Sequence, residues 1–242
     1  QYKAENMVVC VAGNIKETDT KKKVQKYFTG LKSGDFKGKE AVVEKQDKPK
    51  VFLKNKKVDQ SHLILGVRAY DFFHKDYYAL ELLAVILGGM MSSRLWISVR
   101  ERQGLAYYVK TSVDRSSDTG YLATQAGVPH EKVEQAIKAI IKEYKKIKRE
   151  LVSVDELKKA KENIKGKTAI GLESSDSVAT FLASQELLKK KVMTLEDVNK
   201  KIDKVTPKDI KRVANDVFKN NKLNLSLITN NKIKNIDSLL QV

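Results

Sequence analysis

The stretch LGGMMSSRLWISVRERQGLAY, residues 87–107, decides how this chain is interpreted. It starts at the end of an apolar helical pattern, continues through a short second helix, and reaches a new strand at its last residues. Within it, six residues separate Arg100 from Tyr107, and Gly104 lies in the intervening loop. Because glycine allows a sharp turn, we expect the Arg100 and Tyr107 side chains to reach the same space above a sheet edge.

Arg100 and Tyr107 are the candidate functional residues of the chain. Arginine offers five N–H donors in a fixed fork, and tyrosine offers one hydroxyl. Together they can hold a peptide carbonyl or stabilise a developing oxyanion. A plainer interpretation is also open from the residues alone: a surface ion pair for Arg100 and a half-buried strand aromatic for Tyr107.

The first residues of the stretch are interpreted as architecture. Gly88-Gly89 is predicted to stop the preceding helix through the left-handed cap conformation that glycine adopts without strain. Ser92 or Ser93 is predicted to cap the next helix. The glycines lack the lysine and spacing of a phosphate loop, and the serines are not in a G-x-S-x-G nucleophile motif.

The pattern on both sides of this stretch predicts a mixed fold. Strands are expected at residues 51–53, 62–67, 106–113, 121–127 and 223–228, with a hairpin turn at 115–120. Helices are expected at residues 76–87, from Pro129 to Ile147, around Val178–Leu182, and after starts at Ser153, Thr194 and Thr206, the Ser153 start being a capping box with Glu156. This order predicts the α+β class, with a mainly antiparallel sheet and helices packed on one face.

The N-terminal region differs in pattern from the rest. Residues 7–13 are predicted to form a buried strand that holds the single cysteine, Cys10, as a small buried hydrophobe. A helix with Val24, Tyr27 and Phe28 on one side is expected next, followed by a polar, Lys- and Gly-rich linker over residues 29–50. We therefore predict that residues 1–46 are the tail of a preceding homologous domain plus a linker, and that residues 47–242 form the C-terminal domain.

The net charge of +17 comes from 47 Lys and Arg against 30 Asp and Glu. Only seven of these cations are Arg, the residue that base readout and bidentate phosphate contacts favour. We interpret the lysines, such as Lys142, Lys145, Lys146 and Lys148, as solvated helix faces and expect no specific nucleic acid. A polyanion-binding surface is the alternative, motivated by charge alone. No apolar run approaches the roughly 20 residues of a membrane span.

The three histidines do not predict a metal site. His62, His74 and His130 belong to neither H-E-x-x-H nor H-x-x-E-H, in which two histidines one helical turn apart bind zinc. We expect His62 in the core or on a sheet face, and His74 and His130 at the surface. The chain begins with Gln1 and lacks a signal-peptide pattern, so we expect a fragment or a processed product. The compartment stays open, with the cytoplasm favoured.

The run LGG…SSRL…VRE…GLAY over residues 87–107 closely resembles the second-domain signature of the pitrilysin/insulinase-type zinc metallopeptidases, which include mitochondrial processing peptidase. The strand before it, the helix after Asp76, and residues 6–28 resemble the family as well, so the resemblance covers nearly the whole chain. It implies a LuxS- and processing-peptidase-like domain, paired with a homologous domain around a chamber.

The resemblance also implies that the two domains have different roles. In this family the first domain carries H-x-x-E-H and binds zinc, while the second domain supplies an arginine and a tyrosine that bind the substrate. By position these would be Arg100 and Tyr107. This chain has no zinc motif, so zinc would come from an upstream domain, which Gln1 favours, or from a separate subunit. A non-catalytic scaffold or peptide-binding subunit of the same fold is the alternative. The isolated chain is expected to be inactive and to dimerise through an exposed cleft wall.

Overall fold

The computed structural model describes residues 2–35, 38–231, 233 and 235–242. Among them the strands are β1 (Lys50–Asn55), β2 (Ser61–Ala69), β3 (Tyr108–Arg115), β4 (Gly120–Val128) and β5 (Leu223–Thr229). The α-helices are α1 (Glu17–Phe28), α2 (Tyr77–Ala84), α3 (Val133–Arg149), α4 (Val154–Gly171), α5 (Ser175–Lys189), α6 (Leu195–Asp203) and α7 (Pro207–Val217). Two π-helical segments, Val85–Gly89 and Trp96–Arg102, overlap residues 87–107. No described helix is both long enough and apolar enough to cross a membrane.

The five strands form one sheet in the order β1-β5-β2-β4-β3. β1 and β5 pair in parallel, and the other three pairings are antiparallel. β3 and β4 form a hairpin, closed by a hydrogen bond from Ser116 N to Thr119 O at 2.8 Å. The predicted α+β class with a mainly antiparallel sheet is confirmed. Each strand predicted from residue 51 onward is present, although β3 begins and ends two residues later than predicted.

Helices α2, α3 and α7 pack on one face of the sheet. The inward residues of β2, such as Leu63 and Leu65, are fully buried against them. Tyr144 of α3 stacks on Phe218 at 4.2 Å between ring centroids, and its hydroxyl lies 2.6 Å from Thr124 Oγ1 on β4. A buried tyrosine hydroxyl needs such a partner, so this contact fixes α3 against the sheet.

The opposite face of the sheet carries exposed and polar side chains. One register row crosses all five strands through Phe52, Ser226, Ile64, Gln125 and Lys110. Phe52 is 64% exposed and Ile64 is 44% exposed, whereas Leu63 and Leu65, the neighbours of Ile64 on β2, are buried. The two-residue alternation, clearest along β2 and β5, is the reason one face of the sheet is a core wall and the other is an open surface.

The chain divides into two compact units. One comprises residues 1–41 and 165–200, and the other comprises residues 42–164 and 201–242. The whole sheet and the 87–107 stretch belong to the second unit. The assignment of residues 1–46 to a preceding domain stays a prediction.

The prediction of a buried strand at residues 7–13 is wrong. These residues form no strand, and Val8, Val9 and Val11 are 37%, 44% and 45% exposed. Cys10 is only partly buried, so its prediction as a core residue is wrong as well. A strand requires backbone hydrogen bonds to a neighbouring strand. The apolar run alone cannot supply them, and no described strand pairs with it.

The helix at residues 76–87 ends as predicted, but for a different reason. Its last turn is a π-helical turn that ends at Gly89, and neither Gly88 nor Gly89 has a positive φ. A Cβ on Gly88 would lie 2.5 Å from both the backbone nitrogen and Oγ1 of Thr111 on β3. Gly88 is therefore required for close packing of the helix end on β3, and its interpretation as a left-handed cap is wrong.

Two of the predicted caps also need correction. Ser93 precedes the helix that begins at Arg94, but its hydroxyl is buried without a hydrogen-bond partner in the described part of the chain. At the start of α4, Ser153 Oγ accepts a hydrogen bond from Glu156 N at 3.1 Å. The Glu156 carboxylate does not return this bond to the backbone of Ser153, because it pairs with Arg94. Thr206 and Asp209 form a complete capping box at the start of α7.

Candidate functional site

Arg100 lies in the π-helical turn Trp96–Arg102. This conformation is rare in proteins as a whole but is often found at functional sites. Its guanidinium carbon lies 4.0 Å from the centroid of the Trp96 ring and 6.0 Å from the centroid of the Tyr107 ring. The Trp96 indole nitrogen donates a hydrogen bond to Glu101 Oε1 at 3.0 Å, which fixes the plane of the ring. The structure thus brings Arg100 and Tyr107 together, with Trp96 as the platform for the guanidinium.

The loop between Arg100 and Tyr107 is closed by backbone hydrogen bonds. Leu105 N donates to Val99 O at 2.8 Å, and both of these side chains are buried. Gly104 has a φ of +54°, the left-handed conformation that the sharp turn requires. Tyr107 N then donates to Gly127 O at 2.9 Å and joins the chain to the sheet. These contacts set the distance between the two candidate side chains.

The polar groups of Arg100 and Tyr107 are unpaired within the part of the chain that the structure describes. No described residue forms a hydrogen bond or ion pair with the Arg100 guanidinium or the Tyr107 hydroxyl, and Tyr107 is 75% exposed. The plainer alternatives, a surface ion pair for Arg100 and a half-buried Tyr107, are therefore not what the described residues show. A guanidinium stacked on a ring keeps its N–H edges available for in-plane hydrogen bonds.

Arg94 anchors the first turn of the segment that carries Arg100. Its Nε and one terminal nitrogen each donate a 2.7 Å hydrogen bond to the Glu156 carboxylate of α4. Burial of the guanidinium opposes its charge, but the bonds to Glu156 outweigh this cost, and the pKa of Arg94 lies above its ordinary value. Sequence reasoning missed this pair and the role of Trp96. No local pattern connects residue 94 to residue 156.

The sheet next to Tyr107 carries two more polar groups on its open face. The Tyr108 ring lies across Gly127, where a Cβ would collide with it. The Tyr108 hydroxyl lies 3.2 Å from His62 Nδ1. His62 is on the exposed sheet face, one of the two positions expected for it. The open face of the sheet thus offers further hydrogen-bonding groups at Tyr108, the residue next to Tyr107 in the chain, and at His62.

The other two histidines are occupied in the structure. His130 Nδ1 lies 2.6 Å from the buried Ser61 hydroxyl, and its Nε2 lies 2.9 Å from Val58 O. His74 stacks on Tyr70 at 3.7 Å between ring centroids. His74 and His130, which we expect at the surface, are both partly exposed, and each has contacts that the sequence did not predict.

The described residues do not fit a zinc ion. Over residues 2–35, 38–231, 233 and 235–242, no group of three or more His, Cys, Asp or Glu side chains is placed to hold a metal. His62 and His130 sit at separate places in the fold, each with its own partners. No chemical step is therefore assigned to a metal on this chain.

Comparison with known proteins places these observations in a family. The family model described as "Peptidase M16 inactive domain" matches residues 1–164. The chain is 32% identical over 218 residues to the uncharacterized zinc protease YmxG of Bacillus subtilis, covering 90% of this chain and 52% of that protein. It is 30% identical over 228 residues to an uncharacterized zinc protease of Streptomyces coelicolor, covering 90% and 49%. The chain thus spans about half the length of the curated relatives it matches.

Two solved structures agree with this assignment. A protease from Helicobacter pylori superimposes with a TM-score of 0.80 at 27% identity, over 90% of this chain and 54% of that one. The peptidase M16 inactive domain from Pseudomonas fluorescens has a TM-score of 0.79 at 21% identity, over 91% and 53%, and shows the same fold. The resemblance of residues 87–107 to the pitrilysin/insulinase type is confirmed: the chain belongs to the peptidase M16 family, as its inactive domain.

Proposed function

We propose that this chain is the C-terminal half of a zinc metalloendopeptidase, in which it lines the substrate chamber and binds extended peptide. The zinc is supplied by an N-terminal catalytic domain of the same protein or by a partner subunit. The observation that carries the proposal is the Arg100–Tyr107 pair, held at one end of the sheet with its donors unoccupied. The names of the relatives, which are zinc proteases, support it.

The pair has the chemistry that peptide hydrolysis requires. The Arg100 guanidinium has only hydrogen-bond donors, and the Tyr107 hydroxyl can donate one hydrogen bond. Both groups therefore favour a substrate oxygen that gains negative charge. Zinc in the other half would polarise the scissile carbonyl and activate water. The role of this chain is to orient the peptide backbone and to stabilise the oxyanion. The guanidinium is already fixed by Trp96, so little reorganisation is needed.

The open sheet face supports the assignment as a chamber wall. Its exposed row mixes aromatic, aliphatic, amide and lysine side chains, among them Phe52, Ile64 and Gln125. Such a surface can contact peptides of varied sequence without selecting one side chain. The exposed valines at residues 8–11 support pairing with a further domain or subunit, because an apolar segment of this kind gains stability when covered.

The test uses the protein together with its zinc-bearing half or subunit. Arg100→Gln and Tyr107→Phe should each lower kcat/KM for peptide hydrolysis by roughly 10²-fold, the scale of losing one oxyanion donor. Arg102→Gln is the matched control, because Arg102 is exposed on the same segment and forms no ion pair with a described residue. Unchanged kcat/KM in both variants would refute the role of the pair.

A non-catalytic scaffold of the same fold is the second candidate, favoured by the family description as an inactive domain. The two candidates differ in whether peptide hydrolysis depends on this chain. The scaffold would bind peptide or a partner subunit, yet no assembly that contains it would require Arg100 or Tyr107 for hydrolysis. Homodimerisation of the isolated chain stays a prediction. Sedimentation of the chain as a monomer at all concentrations would contradict it.

A further inference from the structure

The outward face of α3 forms a basic trough with residues 238–242. Two cavities of about 660 and 320 Å³ open along it. Both cavities are lined by Lys145, Arg149 and Gln241, so they adjoin each other and form one elongated depression. Both lie in the unit that holds the sheet, and none of the lining residues belongs to the Arg100–Tyr107 site.

Cations dominate the walls of this trough. The larger cavity has one acidic side chain, Glu150, and five basic ones: Lys138, Lys142, Lys145, Lys146 and Arg149. The smaller cavity adds Lys148. Positions 138, 142, 145 and 149 recur at spacings of three and four, so these side chains follow one stripe of the helix. The opposite stripe of α3 is buried in the core.

The charges in the trough are poorly neutralised. No described carboxylate forms an ion pair with Lys142, Lys145 or Arg149. Lys138 meets Glu134, and Lys146 meets Glu150, only at 3.9 Å. Elsewhere exposed lysines pair closely, as Lys200 does with Glu196 at 2.8 Å. Within the trough, burial and the neighbouring charges of Lys145, Arg149 and Lys219 lower the pKa of Lys148. Like charges gathered in a concavity stabilise a bound anion.

We propose that this trough binds a small linear polyphosphate, a molecule with two or more phosphate groups in a row. Lysine ammonium groups bind phosphate oxygens as point charges. Gln241 and Asn220 add amide groups to the walls. No aromatic ring of a described residue lines either cavity, so none of these residues stacks a nucleobase there. A concave site of this size suits a compact ligand.

The test is titration of the whole chain with sodium tripolyphosphate, followed by calorimetry in 150 mM salt. We expect binding of one ligand per chain and much weaker binding of orthophosphate. The double variant Lys145→Gln, Arg149→Gln should weaken tripolyphosphate binding at least about tenfold, because it removes two charged donors shared by both cavities. The circular dichroism melting curve of the variant shows whether it folds.

The matched control is Lys158→Gln, Lys159→Gln on α4, which removes the same charge from exposed positions outside the trough. It should change tripolyphosphate affinity less than twofold. An equal loss in both double variants would mean diffuse surface charge and would overturn the proposal. So would the absence of tripolyphosphate binding, including the case in which vesicles with anionic phospholipids or duplex DNA bind the trough instead.

Discussion

Gly88→Ala is expected to destabilise the chain strongly, because the missing side chain of Gly88 is a packing requirement. The new Cβ would meet Thr111 N and Oγ1 at 2.5 Å and Thr111 Cβ at 2.9 Å. Real Cβ atoms do not approach other atoms this closely, and the backbone nitrogen of Thr111 is held in β3. Either the π-helical turn or β3 must move. Overpacking that forces backbone shifts costs about 1–3 kcal/mol, and we expect the upper end.

The assay is thermal and urea denaturation followed by circular dichroism. A loss of about 3 kcal/mol lowers Tm by roughly 6–12 °C in a protein of this size. Gly166→Ala is the control: Gly166 lies inside α4 with nothing within 4 Å of its ideal Cβ. There alanine should raise stability by about 0.5–1 kcal/mol. If the free energy of unfolding of Gly88→Ala lay within about 0.5 kcal/mol of that of the parent chain, the packing explanation would be refuted.

Three further predictions concern the Trp96 ring beside Arg100, the Arg94–Glu156 ion pair and the Asp76–Arg212 ion pair. Trp96→Leu should lower peptidase kcat/KM about tenfold in the zinc-bearing assembly, because it removes the cation–π platform of Arg100; unchanged activity would show that the stacking is incidental. Glu156→Gln should lower the free energy of unfolding by about 2 kcal/mol, since it leaves the partly buried Arg94 without its charged partner; urea titration measures this. Two hydrogen bonds from the Arg212 guanidinium on α7 lower the pKa of the Asp76 carboxyl below its ordinary value of 3.8. The stability that these bonds contribute is therefore present above pH 3.8 and is lost as the pH falls below it. Asp76→Asn should therefore flatten the acid limb of a plot of Tm against pH, and a variant with an equally steep limb would contradict this.

The sheet could be predicted from sequence because its information is local. The alternation of apolar and polar residues along β2, and the polar turn between β3 and β4, fix strand positions without knowledge of the partner strands. The proximity of Arg100 and Tyr107 was predictable for the same reason. A short loop with Gly104 joins them, and the Leu105–Val99 hydrogen bond closes it.

The errors concern features that depend on distant residues. The apolar run at residues 7–13 resembles a strand, but pairing requires a second strand that the run does not specify. The need for glycine at position 88 arises from Thr111, and the partner of Arg94 lies on α4. His130 contacts the Ser61 hydroxyl on β2 and the Val58 carbonyl oxygen. None of these contacts leaves a periodic signal in the sequence.

The most direct test of the central claim is a double-mutant cycle in kcat/KM on Arg100→Gln and Tyr107→Phe, made in the protein with its zinc-bearing half or subunit. The claim is that both groups act on one substrate oxygen or on adjoining backbone groups. The double variant should then lose less activity than the product of the two single losses, with a coupling of about 0.5–3 kcal/mol. Single losses that multiply without coupling, or single variants with full activity, would contradict the claim.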